Sequence, residues 1–523
     1  VQGFFKKHHK NLALGGIAVY RHNQDQLIMP HEFFLPFGGQ LDPNNRWVLL
    51  AQRIPWNKAE DLYIGQLKST SEGRQAFSVR MALGALIIKE RLGTSDRETV
   101  EQIKENPYLQ YFIGLTEFKQ EEPFHHTMMT HFRKRLGPDI INQINEWLVT
   151  EEVNQMTPDR DEITNDEDEH PSDDDENHTG SQSTAGQPSK QQPHSTPTHR
   201  GKLILDATCV PADIAYPTDL DLLNKSREKL EHMIDVMHQP LRGIQPKPRT
   251  YRKKARQAYL QVAKQRKVSK KKLRKAIKAQ LQYIHRNLKH IEELAQQSGL
   301  HLLSTRQYRE LLVIQEVYRQ QKEMYDKRSN RIEDRIVSIE QPHVRPIVRG
   351  KAKAPVEFGA KVVISVIEGY TLIEHISWDN FHEGNTLQAS VEAYHTRFGC
   401  YPEAVIADQL YRTRENRRYC QARGIRLSGP PLGRPAKEVQ PEHKKLARQD
   451  ACERNKAEGK FGEGKRCYGL DRIYTRLPET SETAIGLQYF TMNLWHWLRS
   501  LFVFFCYMVL LTSSRKKIVY QET

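Results

Sequence analysis

Apolar positions recur at helical spacing through the early part of the chain. In QAFSVRMALGALIIKERLG, Val79, Leu83, Leu86 and Ile87 fall on one helix face. Ser95-Asp96 opens a second helix, with Glu98 close behind, and Pro107 ends it. PFHHTMMTHFRKRLG makes a third, closed by Gly137-Pro138. An apolar, proline-marked stretch (HEFFLPFGGQLDPNNRWVLLAQRIPW) precedes them. Residues 1–150 therefore read as an all-α N-terminal domain. Its short helices, tight joints and basic last turn (Arg133, Lys134, Arg135) suit a DNA-binding helix-turn-helix module or a plain bundle.

The pattern then disappears. From 151 to 180 there are 13 acids and one base, Arg160, followed by Gly, Ser, Thr, Gln and Pro to about 200. Such a segment cannot bury a core and reads as a disordered linker, 151–200. At 203 the chain turns strand-like (LILDATCVPADIAYP), and a helical insertion of about 217–350 follows. GAKVVISVI (359–367) and TLIEHISWD (371–379) form a hairpin across Glu368-Gly369-Tyr370. Next come a helix (384–399), the strand EAVIAD (403–408), a basic helical stretch, the short strand IRLSG, a polar basic loop and a last helix containing Glu458. No internal repeat is present.

Near the C-terminus the apolar run Leu501 to Leu511 is too short to span a bilayer, which takes about 20 residues. Asn493, His496 and Arg499 interrupt any longer version. Residues 476–523 read as a C-terminal apolar helix packed on the core, with no membrane partner. VQGFFKKHHK at the start has no signal-peptide apolar region.

Charge adds a partner class. With 79 Lys and Arg against 64 Asp and Glu, the formal net charge is +15, which favours a polyanion. From Arg242 to Ile291 there are 18 Lys or Arg and no acid, so Lys253, Lys254, Lys270, Lys271 and Lys272 are candidates to track a phosphate backbone. Leu260, Leu273, Ile277, Leu281 and Ile284 would anchor the opposite face. The six cysteines form no C-x-x-C pair, which disfavours a zinc ribbon or a disulfide framework and points to a reducing cytoplasm.

Three acids occupy places suited to metal chemistry. Asp206 closes the apolar run Leu203-Ile204-Leu205, Asp408 closes Val405-Ile406-Ala407, and Glu458 lies on a late helix. Carboxylates at strand ends suit a hard cation, and paired ions can clamp the two oxygens of a phosphoryl transfer. Asp after a strand is also an ordinary turn residue, and Asp213 and Asp379 satisfy the same logic.

LILDATCVPADI, VIADQLY and RNKAEGKFGEGKRCYGL, in this strand and helix order, resemble the catalytic core of the DDE transposases of bacterial insertion sequences, specifically the IS4/IS5 group. That group places Tyr, Arg, Glu and Lys at fixed spacing. Here Arg454, Glu458 and Lys465 fit, and Ala451 stands at the tyrosine position. The resemblance implies an RNase H-like (retroviral integrase-like) α/β core over 201–475, interrupted by the basic helical insertion. It implies Asp206, Asp408 and Glu458 as catalytic metal ligands for Mg2+, alternatively Mn2+, in a pair of ions. Arg454 and Lys465 would hold DNA phosphates, with Arg133 and Lys134 contributing from the N-terminal domain.

The implied activity is binding of terminal inverted repeats, strand cleavage, and attack of the freed 3′-hydroxyl on target DNA, by a homodimer on paired ends in the bacterial nucleoid. Three alternatives stay open on the sequence. They are a decayed or domesticated transposase that only binds DNA, another metal nuclease on the same core such as a resolvase, and a membrane-associated protein using 484–511.

Overall fold

A computed structural model of the chain describes residues 28–66, 76–156, 199–348, 356–429 and 441–519. The stretch expected as a linker falls, from 157 to 198, outside the described residues, as does the segment expected as a polar loop from 430 to 440.

The N-terminal part is helical: α1 (Arg46–Arg53), α2 (Trp56–Gly65), α3 (Val79–Leu92), α4 (Asp96–Glu105), α5 (Pro107–Phe112) and α6 (Met128–Met156). Ser78, Ser95 and Asn106 cap α3, α4 and α5 by accepting from backbone N–H groups of the first turn, which fixes the tight joints. α6 is broken at Gly137, where φ is +61° and Pro138 follows. Its second half continues past the expected domain end into 151–156.

The sheet follows. β1 (Lys202–Pro211) leads into the insertion, made of α7 (Asp219–His238), α8 (Arg252–Ala263), α9 (Lys270–Ser298) and α10 (Thr305–Lys327). Then come β2 (Arg345–Val348), β3 (Val356–Ile367), β4 (Tyr370–Ser377), α11 (Leu387–Phe398), β5 (Ala404–Ala407), α12 (Arg414–Ala422), β6 (Arg426–Leu427), α13 (Pro441–Cys467) and α14 (Pro478–Val519). The strand order is β6-β5-β1-β3, and the far edge of β3 is shared end to end by β2 and β4. β5 runs parallel to β1 and β6, and β3 runs antiparallel to β1. Glu368 and Gly369 alone make the β3–β4 turn, both at positive φ (47° and 84°), and Tyr370 already belongs to β4. A Cβ at Gly369 would stand 2.6 Å from His496 of α14, so close packing as well as φ requires the glycine.

β1 is buried on both faces, as a near-continuous apolar run demands. Ile204 and Val210 join a core with Val362, Ile364 and Ile406, while Leu203 and Leu205 face Val391 and Tyr394 of α11. The first of these cores is continuous with the N-terminal helices and with α14, so those helices do not stand apart from the sheet. Trp47 of α1 packs edge-on to Trp495 of α14, ring centroids 5.4 Å apart. Asn493, which interrupts the apolar C-terminal run, is a buried clasp. Its amide donates to the carbonyl of Thr371 (2.7 Å) and to Asn145 Oδ1 (2.8 Å), and its oxygen accepts from Thr371 N–H (2.9 Å).

Among the described side chains of α14, the buried segment runs from around Ala484 to Trp495. Leu501, Phe502 and Val503 are exposed, Phe502 by 68%. Among the described residues no helix is long and apolar enough to cross a membrane. The insertion has its own core, built from Leu223, Leu230 and Ile234 of α7, Ile284 and Ile291 of α9, and Ile314 of α10. Of the five residues expected to anchor it, Leu281 and Ile284 are buried, Leu260 and Ile277 are partly buried, and Leu273 is exposed.

Candidate active site

Asp206 lies in the middle of β1 rather than at its end. β5 covers only Lys202 to Leu205 of that strand, and Ile473 pairs beside Ala212 at its far end, so the β1 edge has no strand partner from Asp206 to Val210 among the described residues. Asp408 follows β5 directly and caps the short turn Gln409–Tyr411, accepting from Gln409 N–H at 2.6 Å. Asp206 accepts from Ala207 N–H at 2.8 Å. α13 lies across these strands, seated by buried Ala457 and fixed by a two-pronged ion pair from Arg426 of β6 to Asp450 (2.7 and 2.9 Å). It runs unbroken through Gly459, Gly462 and Gly464 to Cys467. A Cβ at Gly464 would strike Leu470 at 2.5 Å, so this glycine serves local packing, whereas Gly459 faces open space.

Asp206, Asp408 and Glu458 line one cavity of about 770 Å³, together with Lys465. The rival acids lie elsewhere: Asp213 pairs with Arg472 (3.6 Å) beside a different cavity, and Asp379 pairs with Arg345 (3.6 Å).

The cavity carries excess negative charge. The Asp206 carboxyl is pushed up to about 6, first by burial and then by repulsion from Glu383, Asp408 and Glu458. Arg454 meets Asp408 at 3.4 Å, and no basic side chain pairs with Asp206 or Glu458 among the described residues. Oxygen donors with unbalanced charge suit a hard divalent cation. In this conformation no three His, Cys, Asp or Glu side chains among the described residues stand close enough to share one ion. The donor chemistry fits a metal, and gathering the acids onto it requires side-chain movement.

The expected DNA contacts divide. Lys253 and Lys254 on α8 and Lys270 and Lys271 on α9 are exposed and without an ion-pair partner among the described residues. Lys272 is exposed and donates to Gln265 (3.0 Å). Three lysines in the first turn of α9 oppose the helix dipole, so helix stability does not account for them. Lys134 is exposed. Arg133 is not available: it is buried and grips Asp96 of α4 through both terminal nitrogens, one at 3.1 Å. The sequence showed a basic turn but not the acid, 37 positions earlier, that folds against it.

Sequence reasoning missed two charged residues of the cavity wall, Lys361 and Glu383. Lys361 was visible as the lone charge inside the apolar strand GAKVVISVI. Glu383 carries no local signal, because only the fold brings it beside β3.

Comparison with known proteins bears on this arrangement. Residues 405–495, which include Asp408 and Glu458 but not Asp206, match the family described as Transposase DDE domain. Residues 36–135, spanning the N-terminal helices, match the family described as Transposase domain (DUF772). An uncharacterized protein of Rhizobium meliloti, ORF8 in the nfe locus, is 27% identical over 224 residues, covering 43% of this chain and 83% of the relative. No solved structure matches the chain. The two family matches support a DDE transposase of an insertion sequence.

Proposed function

We propose that this chain is a DNA transposase of the IS4/IS5 kind. It binds the terminal inverted repeats of its element, cuts a strand at the element boundary and transfers the freed 3′ end to target DNA. One observation carries the reading: acids from β1, the end of β5 and α13 line a single cavity, and two of the three fall inside the matched DDE segment. The order β6-β5-β1-β3, with β4 beyond, supports an RNase H-like core.

Asp206, Asp408 and Glu458 would hold divalent ions, Mg2+ or Mn2+. Such ions activate the attacking oxygen and neutralise charge on the leaving one. The chain's own residues bind and orient the strand. Lys465 meets backbone phosphate beside the acids, and Arg454, which pairs with Asp408 at 3.4 Å, holds phosphate from the same helix face. The exposed lysines of α8 and α9, with Lys134, hold flanking duplex through phosphate neutralisation. No protein nucleophile is needed. A homodimer on paired ends belongs to the same proposal. A decayed protein that only binds DNA is the lesser reading, since all three acids are present.

The test is a labelled duplex carrying the inverted repeat that flanks the gene, incubated with the full chain and Mg2+. A metal-dependent nick at the boundary, lost in Asp206→Asn, supports the assignment. Tight binding without a nick in any metal favours the DNA-binding alternative.

A further inference from the structure

Lys361 is only 7% exposed, yet its side chain lines the cavity of the three acids. In the β1–β3 ladder Asp206 stands opposite Ile364, three residues from Lys361. The odd offset puts Lys361 on the other sheet face from Asp206. Past the end of β5 the two faces open into the same cavity. The Lys361 ammonium donates to the Phe381 carbonyl (2.7 Å), pairs with Glu383 Oε1 (3.0 Å) and sits 4.7 Å from the Phe381 ring centre. A lysine has three N–H donors. Two are taken, and the third has no partner among the described residues.

A purely structural role accounts poorly for this pair. Burying two charges costs about as much as their attraction returns. The turn carrying Glu383 is already secured, because buried Asn416 donates to the Gly384 carbonyl (2.7 Å) and to the Tyr411 carbonyl (2.8 Å). The same asparagine ties the Glu383 turn to the turn that Asp408 caps. The cavity meanwhile presents four carboxylates to any polyanion entering it, and a cation on its wall offsets that repulsion.

We propose that Lys361 is a further phosphate-binding residue of this site, and that Glu383 is the positioning residue that holds its ammonium at the cavity wall. The ligand is a non-bridging oxygen of a DNA backbone phosphate at or next to the cleaved position. The proposal rests on the reading of the chain as a strand-cutting enzyme. Glu383 acts through Lys361: it keeps the ammonium extended at the cavity wall while the strand is absent, and yields part of that contact when a phosphate arrives.

The test uses the full chain, Lys361→Gln, Lys361→Arg and Glu383→Gln, on inverted-repeat duplexes. Single neutral methylphosphonates are placed in turn at the boundary phosphate and its neighbours. Binding is measured with Ca2+, nicking with Mg2+, and folding by thermal unfolding. Lys361→Gln is expected to lower kcat/KM roughly 10- to 100-fold, the loss of one charged hydrogen bond. Lys361→Arg should restore part of it, and Glu383→Gln should lose less than Lys361→Gln. At one methylphosphonate position wild type should weaken by the same factor while Lys361→Gln loses nothing further. Equal binding and nicking by wild type and Lys361→Gln would overturn the proposal. So would a Lys361→Gln loss that is the same at every methylphosphonate position and tracks a lowered unfolding temperature. If wild type binds but never nicks, the strand-cutting reading fails, and the methylphosphonate binding pattern still decides Lys361. If wild type neither binds nor nicks, both fall.

Discussion

Asp206 and Asp408 are register neighbours. Leu205 of β1 lies beside Ala407 of the parallel strand β5, so the acid that follows each lands at the same level of the sheet. Two carboxylates at adjacent strand positions repel each other, and a cation between them removes the repulsion. α13 adds Glu458 from above that level.

Glu458 has no hydrogen bond or ion pair to lose among the described residues. Glu458→Gln should therefore leave the unfolding temperature unchanged while nicking falls by roughly 100-fold or more. Inverted-repeat binding should persist. A gel-shift and a nicking assay on the same preparation check this, and full cleavage by the variant would remove Glu458 from the site.

Asp206 gives a pH-dependent stability effect whose sign is fixed. Its native carboxyl titrates at about 6 against an ordinary 3.8, so the folded state binds the proton more tightly than the unfolded state. Below about pH 4 the group costs nothing. The cost grows between pH 4 and 6 and is full above, at most about 3 kcal/mol. Asp206→Asn should thus stabilise the metal-free protein at pH 8 and not at pH 4, with the gain shrinking when Mg2+ is added. Thermal unfolding in chelator at the two pH values reads it, and a gain equal at both would contradict the burial argument.

Arg133 and Lys134 are adjacent but should behave oppositely. Arg133→Ala leaves Asp96 without its buried partner and is expected to cost about 3 kcal/mol of stability. Lys134→Ala should spare stability and weaken DNA binding. Chemical unfolding and binding titrations separate the two, and the reverse assignment would restore Arg133 as a DNA contact.

Replacing Lys270, Lys271 and Lys272 by Gln should flatten the dependence of log affinity on log salt by up to about three phosphates' worth. The same change relieves the α9 dipole and should stabilise the insertion slightly, by a few tenths of a kcal/mol per residue. An unchanged salt slope would mean that this face does not meet DNA.

Much of the candidate site was legible because strands buried on both faces read as unbroken apolar runs. LIL and VIA each ended visibly at an acid, and Arg454 and Glu458 share a helix face. What stayed hidden depended on pairing. β2 is four residues long and contains Pro346, so it has no alternation to detect. Asp206 looked terminal because the apolar run stops there, yet Thr208 to Val210 remain buried and the ladder with β3 continues. Arg133 looked like solvent-facing charge until Asp96 was folded against it. Glu383 and Lys361 are 22 positions apart, and only the β3–β4 hairpin and the turn that follows it bring them together. In α14 the buried segment around Ala484 to Trp495 meets α6 and β4 through the polar Asn493, a partner that an apolar pattern does not signal.

The contact between Trp47 and Trp495 also sets a schedule for the newborn chain. The indole made first waits about 450 residues for its cover, which at ribosomal speed is roughly half a minute or longer. Until α14 emerges, the N-terminal helices lack one wall of their core. A message cut short before that point should yield sticky fragments for proteases and chaperones rather than a folded N-terminal piece.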